Sequence, residues 1–149
     1  MSGTALSLPS RIWTARTFAS VVAPVTALIV DDNAELAIAI QAALELEGFD
    51  ARTADCVHAV PFAQQRPPSV VLLDIEMPII NGFQVAREMR KLADCACVPI
   101  IAHTSLAEGE VLTQGIPAGI DAYCRKGNSL DALIALLQLV APARRGSGK

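Results

Sequence analysis

The feature that most constrains this chain is a succession of short apolar runs that do not alternate with polar residues, each separated from the next by a segment of helical period. A run that is apolar throughout needs cover on both faces. That is the condition of a strand in a parallel sheet lying between two layers of helix. The runs are VTALIV (25–30), a weaker DARTA (50–54), SVVLLD (69–74), VPIIAHTS (98–105) and AYCRK (122–126). Between them lie AELAIAIQAALELEGF, where Leu36, Ile40, Ala43 and Leu44 share a face and Gly48 supplies a stop, and a poor helix from Val57 to about Arg66 that contains Pro61. GFQVAREMRKLA, LAEGEVLTQ and SLDALIALLQLV follow, the last ended by Pro142. The expected class is α/β, a doubly wound five-stranded parallel sheet with helices on both faces.

A chain of 149 residues makes one such domain. Its expected bounds are 24–141, preceded by an N-terminal extension (1–23) of uncertain order and followed by a short polar tail (142–149). Thr17–Val30 is apolar and follows Arg11 and Arg16, which resembles a signal or anchor. It contains Pro24, ends on Asp31 and Asp32, and falls short of the about 20 residues a membrane span needs. A formal net charge of −3 provides no basic face for nucleic acid, so neither nucleic acid nor membrane is expected as a partner. Cys56, Cys95, Cys97 and Cys124 are scattered among small and apolar residues and read as reduced thiols of a cytoplasmic protein. Cys95-Ala-Cys97 lacks the second pair of ligands that zinc requires. His58 and His103 have no carboxylate or thiol partner at ligand spacing and are taken as structural.

In an open α/β sheet the ligand crevice lies beyond the carboxyl ends of the strands, where the strand order reverses. Here those ends carry chemistry. Asp31 and Asp32 close the first expected strand, Asp74 the third, Thr104 and Ser105 the fourth, and Lys126 the fifth. If the first and third strands are neighbours, three carboxylates meet at one edge. Such a cluster raises its own pKa values unless a cation intervenes. All-oxygen ligands in small number suit magnesium, which keeps several waters and takes one or two carboxylates plus a phosphate.

These residues resemble the receiver domain of two-component response regulators over Val25 to Val140. The matching features are the pair Asp31-Asp32, the aspartate of LLDIEMP, the MPIING loop with Met77, Pro78 and Gly82, Thr104 followed by Ser105, and Tyr123 three residues before Lys126. The resemblance implies a flavodoxin-like strand order 2-1-3-4-5 and an aspartyl-phosphate chemistry in which Asp74 is the phosphoacceptor. It further implies that Mg2+ is held by Asp32 directly, by Asp31 through water, by Asp74 and by the backbone carbonyl of Glu76. Lys126 neutralises the phosphoryl oxygens, and Thr104 donates to them, after which the ring of Tyr123 swings inward as the switch. The implied partners are a histidine kinase or histidine phosphotransfer protein as donor and an unknown downstream protein target.

A stand-alone receiver that accepts a phosphoryl group and signals by contact or onward transfer is therefore expected, a phosphoacceptor and not an enzyme. One alternative is a degenerate receiver that only binds partners. A second, a haloacid-dehalogenase-type phosphohydrolase, would need an aspartate where Glu76 stands. Gly127 occupies a position where the family usually has proline, which would leave Lys126 less fixed.

Three local expectations complete the reading. GIPAG should leave the fourth helix short or broken after about Gln114. In the last helix Leu130, Leu133, Ile134 and Leu137 form the buried stripe, leaving Leu136 and Leu139 outward as a possible homodimer face. On the first helix Ile38 points to solvent beside the acidic pair and is the expected docking residue for the donor.

Overall fold

The computed structural model describes residues 10–127 and 129–145. Residues 1–9 of the expected extension and 146–149 of the expected tail lie outside them. Parallel strands β3 (Thr26–Val30), β4 (Asp50–Ala54), β5 (Val70–Leu73), β6 (Ile100–Thr104) and β7 (Ala122–Arg125) alternate with helices α1 (Ala34–Leu46), α2 (Ala59–Gln65), α3 (Gly82–Arg90), α4 (Glu108–Ala118) and α5 (Leu130–Val140). They run β4-β3-β5-β6-β7 across the sheet, which is the expected order 2-1-3-4-5. Two buried clusters cover the two faces. One gathers Leu28, Val71, Leu73 and Phe83 under α2, α3 and α4, and the other gathers Ile29, Leu72, Ile40 and Leu137 under α1 and α5. Uninterrupted apolar strands are what this double cover demands.

The sheet departs from expectation in having a sixth strand. Strand β1 (Ser10–Ile12), from the N-terminal extension, pairs antiparallel with β7, with Arg11 opposite Tyr123. From β1 the chain continues to β2 (Val21–Val22), which pairs in parallel with β8 (Ala143–Arg144) and so ties the extension to the segment after α5.

Two helices correct the sequence reading. The fourth is continuous from Glu108 to Ala118 and passes through Pro117. Proline there deletes a single bond in the last turn, and that turn is anchored from outside. Ile120 N donates to Gly115 O at 3.0 Å, Gly119 takes a left-handed φ of +96°, and Arg90 Nη2 donates to Gly119 O at 2.6 Å. In the last helix Leu133, Leu136, Leu137 and Val140 are buried, while Leu130 is 38% exposed. Leu136 joins the buried cluster of that face, against which Phe18 and Val21 of the N-terminal segment also pack. Of the two leucines expected outward, only Leu139 is exposed, at 64%. Pro61 costs α2 nothing, since that helix starts only at Ala59 and Pro61 lies in its first turn, where the N–H has no intrahelical partner.

Candidate functional site

Parallel pairing of β3 with β5 aligns Val30 with Leu73, so the residues that follow, Asp31 and Asp74, leave the sheet side by side. Asp74 N donates to Val30 O at 2.9 Å and locks that juxtaposition. Both carboxylates are buried. Lys126 follows β7 and is fixed by its own backbone, its N donating to Thr104 O at 2.8 Å. Its ammonium reaches Asp31 Oδ2 at 2.8 Å and Asp74 Oδ2 at 3.2 Å. Gly127 beside it has φ of +92°, a conformation closed to proline, yet the lysine is held by one backbone bond and two ion pairs.

The loop after Asp74 is shaped by a close approach. A Cβ on Gly82 would lie 2.4 Å from Asp74 O and 2.8 Å from Ile75 Cα, so only glycine lets α3 start against the acceptor strand. Gly82 N closes that loop onto Ile75 O at 2.9 Å. Asn81 caps α3 through Gln84 N at 3.0 Å, while Gln84 Oε1 accepts from Asn81 N at 3.0 Å. Glu76 N donates to Asp74 Oδ1 at 3.3 Å, which leaves the Glu76 carbonyl in the same tight loop.

The three carboxylates do not converge as expected. Lys126 stands between Asp31 and Asp74, and Asp32 turns to Cys56, whose N and Sγ donate to its two oxygens at 2.8 and 3.4 Å. Asp31 Oδ1 in turn accepts from Asn33 N at 2.8 Å. Among the described residues no group of three His, Cys, Asp or Glu side chains is drawn together as a metal site. The sequence did not point to Cys56, because nothing in its neighbours distinguishes a thiol that serves a carboxylate from one that fills a core.

The electrostatics of the mouth are uneven. Burial pushes the Asp74 carboxyl above its ordinary value, Lys126 pulls it down, and the charge of Asp31 pushes it up again, for a net rise. For Lys126 burial acts to lower the pKa, and the bonds and charges of Asp31 and Asp74 outweigh it, so the ammonium is held more firmly than usual. Two buried carboxylates thus share one cation. His103, also buried, is pushed down to about 4 by burial and by Lys126 and stays a neutral imidazole. His58, for which no carboxylate partner was expected, places Nδ1 2.7 Å from Asp55 Oδ1 on the exposed start of α2.

Thr104, fully buried at the end of β6, accepts from Leu106 N at 3.2 Å through Oγ1. Tyr123 OH donates to Leu106 O at 2.6 Å. The tyrosine ring is already inward, 1% exposed, and Trp13 of the N-terminal segment lies stacked on it. Ile38 is 59% exposed on α1 and lines a cleft of about 400 Å³ with Asp31, Asp32, His58 and Phe62.

Residues 27–138 match the family described as the response regulator receiver domain. The chain belongs to that family. It is therefore a receiver domain of two-component signalling, a phosphoacceptor module rather than a catalytic enzyme, with the flavodoxin-like fold. It is 35% identical over 126 residues to the phosphate regulon transcriptional regulatory protein PhoB of Pseudomonas aeruginosa, covering 83% of this chain and 54% of that protein. It is 34% identical over 123 residues to the probable transcriptional regulatory protein TcrX of Mycobacterium tuberculosis, covering 82% of this chain and 51% of that one. The receiver thus spans about half the length of the curated relatives it matches. Among solved structures, the chemotaxis protein CheY4 of Vibrio cholerae superposes with a TM-score of 0.75 at 26% identity, over 78% of this chain and 98% of that one. The receiver domain of a sensor histidine kinase of Pseudomonas aeruginosa, which carries a magnesium ion in its active-site cleft, superposes with a TM-score of 0.70 at 29% identity, over 76% of this chain and 94% of that one. Among the described residues no helix is long and apolar enough to cross a membrane.

Proposed function

We propose that Asp74 accepts a phosphoryl group from a phosphohistidine of a histidine kinase or histidine phosphotransfer protein. The observation that carries this reading is the placement of Asp74, buried at the end of β5 with Oδ2 3.2 Å from Lys126 Nζ and the Asp31 carboxylate on the same ammonium. In the transfer an Asp74 oxygen forms the new P–O bond while the P–N bond of the donor breaks and its electron pair returns to the imidazole nitrogen. Lys126 is positioned to neutralise charge on the transferring oxygens, and Thr104 to donate its hydroxyl proton to one of them.

Asp31, Asp32, Asp74 and the Glu76 carbonyl would supply an all-oxygen donor set, which fits magnesium, with Asp32 exchanging its bonds to Cys56 for the ion. When bound, the ion supplies positive charge to the phosphoryl oxygens. The four cysteines are free thiols, in keeping with a cytoplasmic location.

Incubation with acetyl phosphate tests the assignment. Labelling should require magnesium, be released by hydroxylamine and vanish in Asp74→Asn, and metal-independent label or label that survives the substitution would refute it.

A further inference from the structure

The edge of the sheet beside β7 is closed by the chain's own N-terminal segment, and the closure is specific. Beyond the β1–β7 ladder, Trp13 N and Thr14 N both donate to Asp121 O, at 2.7 and 3.2 Å. The Trp13 indole lies on the Tyr123 ring with centroids 5.9 Å apart and planes inclined by 13°. Its Nε1 donates to Glu108 Oε2 at 2.9 Å, and Arg11 Nε pairs with the same oxygen at 3.2 Å. Helix α4 makes room for the indole, for a Cβ on Gly115 would lie 2.8 Å from Trp13 Cζ3.

This closure is joined to the mouth of the sheet by an unbroken series of contacts. Tyr123, which carries the indole, donates its hydroxyl to Leu106 O, and Leu106 N donates to Thr104 Oγ1. Thr104 ends β6 next to the acceptor strand β5. A hydroxyl accepts through its lone pairs and still has a proton to donate. A phosphoryl group on Asp74 can therefore take the Thr104 proton without displacing the Leu106 N–H, and Thr104 is then held from both sides. The Leu106 peptide is pinned with it, and so is the acceptor that keeps Tyr123 inward under Trp13.

We propose that β1 and Trp13 form a clasp thermodynamically coupled to Asp74: a phosphoryl group there tightens the clasp on Tyr123 and α4, and loss of the clasp weakens phosphoryl-analogue binding. The proposal rests on Asp74 being the phosphoacceptor, and coupling between two sites is reciprocal. Trp13 is the single tryptophan of the chain, so its emission reports the clasp directly.

The full-length protein is titrated with beryllium fluoride in the presence of magnesium. Fluorine NMR follows ligand bound at Asp74, and iodide quenching follows the exposure of Trp13. Quenching should fall in step with occupancy, and Trp13→Ala should raise the Kd for beryllium fluoride about fivefold, the lower end of ordinary allosteric coupling. Glu108→Ala, which keeps the indole and removes its acceptor and the Arg11 ion pair, should shift both readouts in the same direction by less, and it guards against misfolding of the tryptophan variant. Full occupancy by fluorine NMR with quenching unchanged or increased, or wild-type Kd in both variants, would overturn the clasp while leaving Asp74 as acceptor. Absence of any bound fluorine signal that depends on Asp74 would remove the acceptor assignment and the clasp together.

Discussion

Two buried carboxylate clusters sit at opposite ends of the same sheet, and they are built on opposite rules. At the amino end of β7, Asp121 is fully answered: Arg16 Nε and Nη2 donate to its two oxygens at 3.0 Å each, Arg90 Nη2 donates at 2.9 Å and Ile100 N at 3.0 Å. Arg90 is itself saturated, donating also to Gly119 O, Cys95 O and Val98 O. One carboxylate has two guanidinium groups and a backbone N–H, with three donors on Oδ2 and one on Oδ1. At the carboxyl end, Asp31 and Asp74 divide one ammonium, and the Asp74 carboxyl is raised by burial and by its neighbour. A cluster with paired charges holds a fold together, whereas one left short of positive charge is ready for a cationic or phosphoryl ligand.

Substitutions should separate the two clusters by sign. The largest effect is expected at the closed cluster, where Asp121→Ala leaves Arg90 and Arg16 without their carboxylate. Breaking a buried pair by removing one partner costs about 3 to 5 kcal/mol. At the few degrees per kcal/mol typical of domains near this size, thermal unfolding should drop by about 10 °C. A change within experimental error would mean that the carbonyls around Arg90 suffice alone.

A middle-sized effect is expected from Ile38, the exposed side chain beside the open cluster. Ile38→Ala should weaken phosphoryl transfer from the physiological donor about tenfold, the value of roughly 1 to 2 kcal/mol for an apolar anchor at an interface, with acetyl phosphate labelling unchanged. Equal loss with both donors would indicate damage to the fold, and no loss with either would place the donor elsewhere.

The smallest effect carries the opposite sign. Because the Asp74 pKa is raised on folding, its ionised form costs stability at neutral pH, and Asp74→Asn should raise the thermal unfolding temperature of the metal-free protein, by less than Asp121→Ala lowers it. The sign has a pH signature. A group with a raised folded-state pKa favours the fold below its unfolded value and loses that contribution as pH rises through the folded one. The gap between variant and wild type should therefore be full at neutral pH and close on acidification into the carboxylate range. Calorimetry at several pH values measures it, and a destabilised Asn variant at neutral pH would contradict the account of an over-charged mouth.

Both clusters have residues in the sequence, but only the open one was legible there. Asp31, Asp32, Asp74, Thr104 and Lys126 each follow an apolar run, and a strand that leaves the core has to end on something. Residues that break the apolar pattern at that point are visible without coordinates. Asp121 also precedes a strand, but its partners Arg16 and Arg90 lie 105 and 31 positions away and carry no pattern of their own. The same holds for Cys56, which meets Asp32 across 24 positions.

What the sequence determined by itself was the order of strands and helices and the end of the sheet at which the chemistry lies, because apolar period and strand termination are local properties of the chain. Gly82 was visible only as part of the MPIING loop of the resemblance, and its close approach to Asp74 O needed the coordinates. Tertiary structure alone decided the rest. SRI has too few residues and too much polarity to announce a strand, and it becomes one because β7 offers an unpaired edge and Trp13 finds Tyr123, Glu108 and the space at Gly115. The buried stripe of α5 includes Leu136, in a cluster that Phe18 and Val21 also join, and α4 survives Pro117 because Arg90 holds its last turn. In each case the deciding partner is distant in the chain, and a free energy set by such a partner leaves no mark on the local pattern.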